Sequence, residues 1–251
     1  CRGTQGNVMS LDEVCDAIVD LLPHSENNLG FVSPTHFVLQ MISIVEELRK
    51  RGHFPTIIYN TNGYDLPETI RLLEGIVDVW LPDFKYSDNN LAEALSQAPD
   101  YSRYALASLK EMMRQTGTTL HTDDRGIARR GIIVRHLVLP GFVDNSIGVL
   151  RLISENLSPN LYASLMSQYY PPDRLVNSKF ETATKEQDQS RTQSVGTQIA
   201  NRKFLHRPLT RKEYEFVVNA FHALGFMRGW LQEYESHRTY RPDFSRDHPF
   251  E

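Results

Sequence analysis

Apolar and polar positions along the chain follow two periods in turn. Short apolar runs occur at Leu29-Gly-Phe-Val-Ser33, Pro55-Thr-Ile-Ile-Tyr59, Val77-Asp-Val-Trp-Leu81, Gly131-Ile-Ile-Val-Arg-His-Leu-Val-Leu139 and Leu161-Tyr-Ala-Ser-Leu-Met166. Each is short, rich in β-branched or aromatic residues and bounded by Gly, Pro or Asn, which predicts a buried strand. Between them the spacing becomes helical. Ser10-Leu-Asp-Glu13 is a capping-box pattern ahead of Val14, Ile18, Leu21 and Leu22. Phe37, Met41, Ile44, Val45 and Leu48 form one face of a second helix that stops at Gly52. Further helices are predicted over 66–74, with Pro67 in the first turn, and over 91–95, 101–116, 146–156 and 210–224. Connections this long exclude hairpins, so the strands are parallel. Right-handed crossovers then curl about five such units into a barrel or part of one.

Three stretches break the rhythm. Residues 121–130 read as a polar loop. Residues 173–208 are rich in Ser, Thr, Gln, Lys and Arg without periodicity, which predicts an insertion lacking fixed structure between a barrel over 1–172 and a terminal unit over 209–251. The last unit joins a helix carrying Tyr214, Val217, Val218 and Phe221 to a tail, 229–244, whose many rings predict that it packs along the barrel.

Composition narrows the possibilities. The formal net charge is −4, and no Lys/Arg-rich run is present, so neither a nucleic-acid partner nor an anionic membrane is indicated. No apolar run reaches transmembrane length. Two cysteines, Cys1 and Cys15, cannot make a disulfide framework, which points to a reducing, cytoplasmic setting. Cys15 sits in the first predicted helix as a small packed side chain. The chain starts at Cys rather than Met, and is expected to lack its true N-terminus.

Candidate chemistry collects just after the strands, at Thr35 and His36, Asn60 and Asn62, Asp83 and Lys85, and Gln168 and Tyr169. The carboxyl edge of parallel strands is where ligands of α/β proteins sit. Asp83 and Lys85 are two apart past a buried strand, so an extended chain puts a carboxylate and an ammonium on one face. Arg135 and His136 interrupt an apolar strand, and alternation places them on opposite faces, so that only one points inward. A core-facing His136 bonded to backbone is the expectation, and His36 is either a site residue or an ordinary residue of a helix's first turn. There is no His-Glu-x-x-His, Cys-x-x-Cys, Gly-x-Gly-x-x-Gly, Walker loop or Gly-x-Ser-x-Gly elbow.

The order of these strand ends resembles a known family. Ser33-Pro-Thr-His-Phe37, Tyr59-Asn-Thr-Asn-Gly-Tyr-Asp65, Leu81-Pro-Asp-Phe-Lys-Tyr86, Ala98-Pro-Asp-Tyr101 and Val134-Arg-His-Leu-Val-Leu-Pro-Gly141 are together similar to radical S-adenosylmethionine proteins related to the pyruvate formate-lyase activating enzyme. The resemblance implies a partial (β/α)6 TIM-like barrel whose first strand and cluster loop are missing from this chain. It also implies a [4Fe–4S] cluster and S-adenosylmethionine as cofactors, bound at the top of the barrel, and a 5′-deoxyadenosyl radical as product of reductive cleavage. Carried over by residue, Asn60 and Asn62 match the strand-3 cofactor segment, Asp83 and Lys85 the Asp-x-Lys, and Arg135 the arginine beside the cofactor. Thr35 and His36 stand where the family usually has Gly-Gly-Glu, and the histidine of the sixth strand is replaced around Tyr169. The Cys-x-x-x-Cys-x-x-Cys that binds the cluster is absent; Cys1 is either its last cysteine or lies just after it, and the expectation is the second, with the cluster cysteines upstream of Cys1. An external electron donor is implied as a partner, and by analogy a protein side chain as one candidate substrate. Two other readings stand beside this one. One is a barrel lyase or aldolase with Lys85 as amine nucleophile; the other is a non-catalytic barrel that binds a ligand.

Overall fold

A computed structural model of the chain describes residues 7–171 and 202–236. It contains an open α/β sheet in which six parallel strands succeed one another in chain order. These are β1 (Asn28–Val32), β2 (Thr56–Thr61), β3 (Val79–Pro82), β5 (Ala128–Leu137), β6 (Tyr162–Met166) and β7 (Gly229–Leu231), and β4 (His121–Thr122) joins β5 antiparallel. β1 and β7 do not pair with each other, so the sheet forms part of a barrel without closing it. The helices are α1 (Leu11–Leu21), α2 (Val38–Lys50), α3 (Pro67–Leu72), α4 (Asn89–Ser96), α5 (Tyr101–Thr116), α6 (Val143–Asn156) and α7 (Arg211–Ala223). None of the described helices is long and apolar enough to cross a membrane.

Local chemistry sets these elements. Ser10 caps α1 and Glu13 reaches back to the Ser10 amide at 2.7 Å; Thr210 and Glu213 repeat the arrangement on α7. The two faces of the sheet differ in burial. Ile57, Tyr59, Trp80, Ile132, Val134, Val138, Ala163 and Leu165 face the helices and are buried. Tyr59 and Trp80 meet edge to face there, 5.3 Å between ring centres. The opposite face, with Ile58, Leu81, Ile133 and Leu137, is only partly covered.

The structure departs from the sequence reading at several points. Residues 121–130 are a hairpin rather than a loop: Asp123 accepts from the Arg125 and Ile127 amides, both at 3.0 Å, and Gly126 turns at φ 78°. β2 runs on through Asn60 and Thr61 instead of breaking at Asn60. Phe37 is exposed, because residues 34–37 form a 3-10 turn that shifts its phase from that of α2. The described part of the tail supplies a sixth parallel strand, β7. Residues 173–201 of the expected insertion lie outside the described residues, whereas Arg202–His206 is a 3-10 turn with Leu205 in the core. Cys15 is fully buried against the Ile44 carbonyl, and burial raises its thiol pKa. Iodoacetamide is therefore expected to leave Cys15 unmodified in the native protein and to alkylate it only in denaturant, as peptide mass spectrometry would read; native labelling at Cys15 would place α1 elsewhere.

Candidate functional site

Four side chains converge where β2, β3 and β5 end. Asn60 and Leu81 are register partners, and past Pro82 the chain stays extended long enough for Asp83 to bridge Arg135. Backbone bonds fix that bridge: the Asp83 amide donates to Thr61 O at 2.8 Å and the Phe84 amide to Arg135 O at 2.8 Å. Alternation then sends Asn60, Asp83, Lys85 and Arg135 to the partly covered face. Lys85 Nζ lies 2.6 Å from Asp83 Oδ2. Arg135 Nη2 donates to Asn60 Oδ1 at 2.6 Å and lies 2.7 Å from Asp83 Oδ1. That last contact is an ion pair without hydrogen-bond alignment, so the buried Asp83 Oδ1 is left without a hydrogen bond. The buried Arg135 Nε likewise has no hydrogen-bond partner.

The ridge is braced from behind. His136 points to the buried face, as alternation requires, with Nδ1 2.7 Å from Phe84 O and Nε2 2.8 Å from Ser146 Oγ. A carbonyl can only accept, so Nδ1 carries the proton and Nε2 accepts from the serine hydroxyl. Burial lowers the His136 pKa to about 4 and keeps the ring neutral. From α6, Asn145 donates to Lys85 O at 3.0 Å and accepts from the Ser87 amide at 2.9 Å. Tyr101, the first residue of α5, brings its hydroxyl to 2.9 Å from the Lys85 amide, 2.7 Å from Asn62 O and 3.0 Å from Asp83 O.

Not every candidate joins the ridge. Thr35 donates to Asp65 Oδ1 at 2.7 Å, within a network in which Tyr59 and Thr61 also donate to that buried carboxylate. Asn62 is exposed and accepts from the Tyr64 amide at 2.9 Å, an Asx turn that shapes the loop. His36 is exposed, its ring tilted against Phe37 at 6.3 Å. Tyr169 donates to Leu205 O at 2.8 Å, and Gln168 accepts from Gln232 at 2.8 Å. Tyr101 and Asp65 entered the sequence reading only as the last residues of quoted motifs and Asn145 not at all, because Tyr101 and Asn145 act on backbone groups far along the chain and Asp65 is a buried anchor. A separate cavity of about 490 Å³ opens at the amino end of the sheet, lined by His53, Arg125 and Arg129 among others. The charges there pair with one another, Arg125 with Glu26 and Arg129 with Asp123.

Among the described residues no three His, Cys, Asp or Glu side chains are grouped to hold a metal ion. Cys1 lies outside the described residues and Cys15 is buried in the α1–α2 contact, so the described residues do not fit a [4Fe–4S] cluster, which needs several thiolates. The ridge has the donor and acceptor types that a zwitterion bearing hydroxyls requires: Lys85 and Arg135 are cationic donors suited to a carboxylate, and the Asp83 carboxylate and the Asn60 amide can meet an ammonium or hydroxyls.

No family model matches the chain. It is 30% identical over 147 residues to an uncharacterized protein of Methanocaldococcus jannaschii, a match that takes in 57% of this chain and 38% of that relative's length. Its fold is similar to the crystal structure of a domain of the pyruvate-formate lyase-activating enzyme from Bacteroides vulgatus, with a TM-score of 0.50 over 82% of this chain and 99% of that one. Identity in that comparison is 8%, so the likeness is one of fold.

Proposed function

We propose that this chain is the S-adenosylmethionine-binding part of a radical S-adenosylmethionine enzyme. The observation that carries the reading is the ridge itself. Two cations, a carboxylate and an amide from three adjacent strand ends meet on the open face, with one buried donor and one buried acceptor unsatisfied. In this reading Lys85 and Arg135 hold the ligand's carboxylate, while Asp83 and Asn60 take its ammonium and ribose hydroxyls. Thr35 and Asn62 act one step back, by shaping the loops. In this reading a [4Fe–4S] cluster would be held by thiolates outside the described residues and would supply the one electron for cleavage to methionine and a 5′-deoxyadenosyl radical, while Lys85, Arg135, Asp83 and Asn60 would hold the molecule being cleaved. An external electron donor and a protein substrate belong to the same proposal.

Equilibrium dialysis with radiolabelled S-adenosylmethionine tests the binding role. Lys85→Met keeps the aliphatic stem and removes the charge. Its affinity is expected to fall by about 1.5–3 kcal/mol, the range for hydrogen bonds to charged groups. Folding stability is expected to change by only about 0–1 kcal/mol, because Lys85 is 40% exposed. Absence of binding by the unmodified chain, or equal affinity in both proteins, overturns the proposal. Borohydride treatment with a carbonyl compound separates the aldolase alternative, since only an amine nucleophile gives a stable adduct on Lys85.

A further inference from the structure

The Tyr101 hydroxyl adds side-chain bonds between two chain segments whose direct link is the backbone bond from the Asp83 amide to Thr61 O. One is the end of β2, represented by Asn62 O at 2.7 Å; the other is the Asp83–Lys85 turn, represented by Asp83 O at 3.0 Å and the Lys85 amide at 2.9 Å. A phenol has one proton to give and can accept in return, so it donates towards the two carbonyls and accepts from the Lys85 N–H. The ring cannot drift. It is 2% exposed, stacked on Tyr64 at 5.8 Å, with Tyr86 edge-on at 5.3 Å and Phe84 at 6.2 Å. Its Cα is set by the start of α5, where the Ser102 amide and hydroxyl both donate to Asn89 Oδ1 at 3.0 Å. The two segments meet where glycine is required: a Cβ on Gly63 would lie 2.2 Å from Asp83 O and 3.2 Å from the Tyr101 hydroxyl.

We infer that Tyr101 is a positioning residue of the ligand ridge. Its hydroxyl fixes the Lys85 backbone relative to Asn60, and so sets the separation at which the Lys85 ammonium and the Arg135 guanidinium meet a ligand's carboxylate. The inference rests on the proposed binding of S-adenosylmethionine at the ridge. Tyr101 itself does not touch the ligand; it acts through Lys85. His136 and Asn145 hold Phe84 O and Lys85 O from the α6 side, so the turn is gripped from both helices and Tyr101 alone ties it to β2 among these three.

The test uses Tyr101→Phe, which keeps the buried ring and removes the hydroxyl, alone and combined with Lys85→Met, on the chain as it stands. Radiolabelled S-adenosylmethionine is the probe. Affinity is expected to fall about tenfold in Tyr101→Phe, the order of one well-placed hydrogen bond. In the Lys85→Met background the same change is expected to cost less than about threefold, because the group being positioned is gone, and such non-additivity marks coupled residues. A residue that served only stability would weaken binding equally in both backgrounds. Amide exchange of Lys85, followed by nitrogen-15 NMR, is expected to accelerate in Tyr101→Phe while the urea midpoint moves little. Unchanged affinity in Tyr101→Phe, or equal losses in both backgrounds, overturns the positioning role. No binding by the unmodified chain overturns the ligand reading instead, and the exchange of Lys85 then still shows whether the hydroxyl grips the turn.

Discussion

Gly63→Ala is expected to lower the free energy of unfolding by about 2–5 kcal/mol and to abolish binding at the ridge. Two penalties add. Gly63 has φ 78°, a left-handed conformation that costs an L-residue about 1–2 kcal/mol. The new methyl would also lie 2.2 Å from the Asp83 carbonyl, and that neighbour is backbone held by the β2 and β5 ladders rather than a side chain free to turn. Forcing the two segments apart costs about 1–3 kcal/mol, as overpacking does elsewhere. The displacement falls on the residue whose carboxylate pairs with Lys85 and Arg135, so stability and ligand affinity fail together. Urea denaturation and dialysis on the same preparation measure both, and an unaltered midpoint would mean that the β2 loop does not pass over Asp83 this closely.

Acid is expected to loosen the protein through His136. Its pKa is about 4 in the folded state, lowered by burial, against about 6.5 when the chain is unfolded. Between those values the unfolded state binds the proton and the folded state does not, so stability rises with pH across the window and falls as the solution is acidified from about 6.5 to about 4. At about 1.4 kcal/mol per pH unit the loss is on the order of 3 kcal/mol, and below about pH 4 this contribution has gone. His136→Gln can still donate to Phe84 O but carries no titrating group. Unfolding free energies measured for both proteins from pH 7 to 4 are expected to show a steeper fall for the wild type; parallel curves would mean that His136 is not held neutral. The variant starts lower, because the Ser146 hydroxyl loses its acceptor inside the core.

Much of the fold was legible because burial on one face imposes a period. Ile57, Tyr59, Trp80, Ile132, Val134, Ala163 and Leu165 all lie in runs whose apolar character comes from contact with helices, and those runs are the strands. Elements held by backbone bonds alone left no such trace. His121–Thr122 is exposed and polar, and Gly229–Leu231 is three exposed residues whose apolar pair, Trp230 and Leu231, is too short to show a strand period, although both elements pair in the sheet. Phe37 misled through phase, since a 3-10 turn precedes the α-helix that its spacing suggested. At the ridge, the i, i+2 spacing of Asp83 and Lys85 and the alternation of Arg135 with His136 were enough to bring three charges together. Thr35 became a candidate through its place after a strand and the family resemblance, whereas its hydroxyl donates to a buried carboxylate thirty residues on. Tyr101 was visible as the end of Ala98-Pro-Asp-Tyr101 but its role was not: nothing in its neighbours announces that its hydroxyl reaches three backbone atoms from two other segments.

β7 differs from the other strands in how its partner is reached. β2, β3 and β6 each follow the preceding strand after a single α-helix, whereas Ala163 of β6 finds Gly229 of β7 only after the chain has passed through α7 and all that precedes it. Closing so long a loop costs only slightly more than closing a short one, because the entropy grows with the logarithm of length. What is small is the return: three exposed residues, with Gly229 seated so close to Ala163 O that no larger residue fits. Short, exposed edge elements open at lower free energy than buried central strands. The β6–β7 edge is therefore a seam in the sheet, where amide exchange is expected to be faster than at the buried strands β2 and β3.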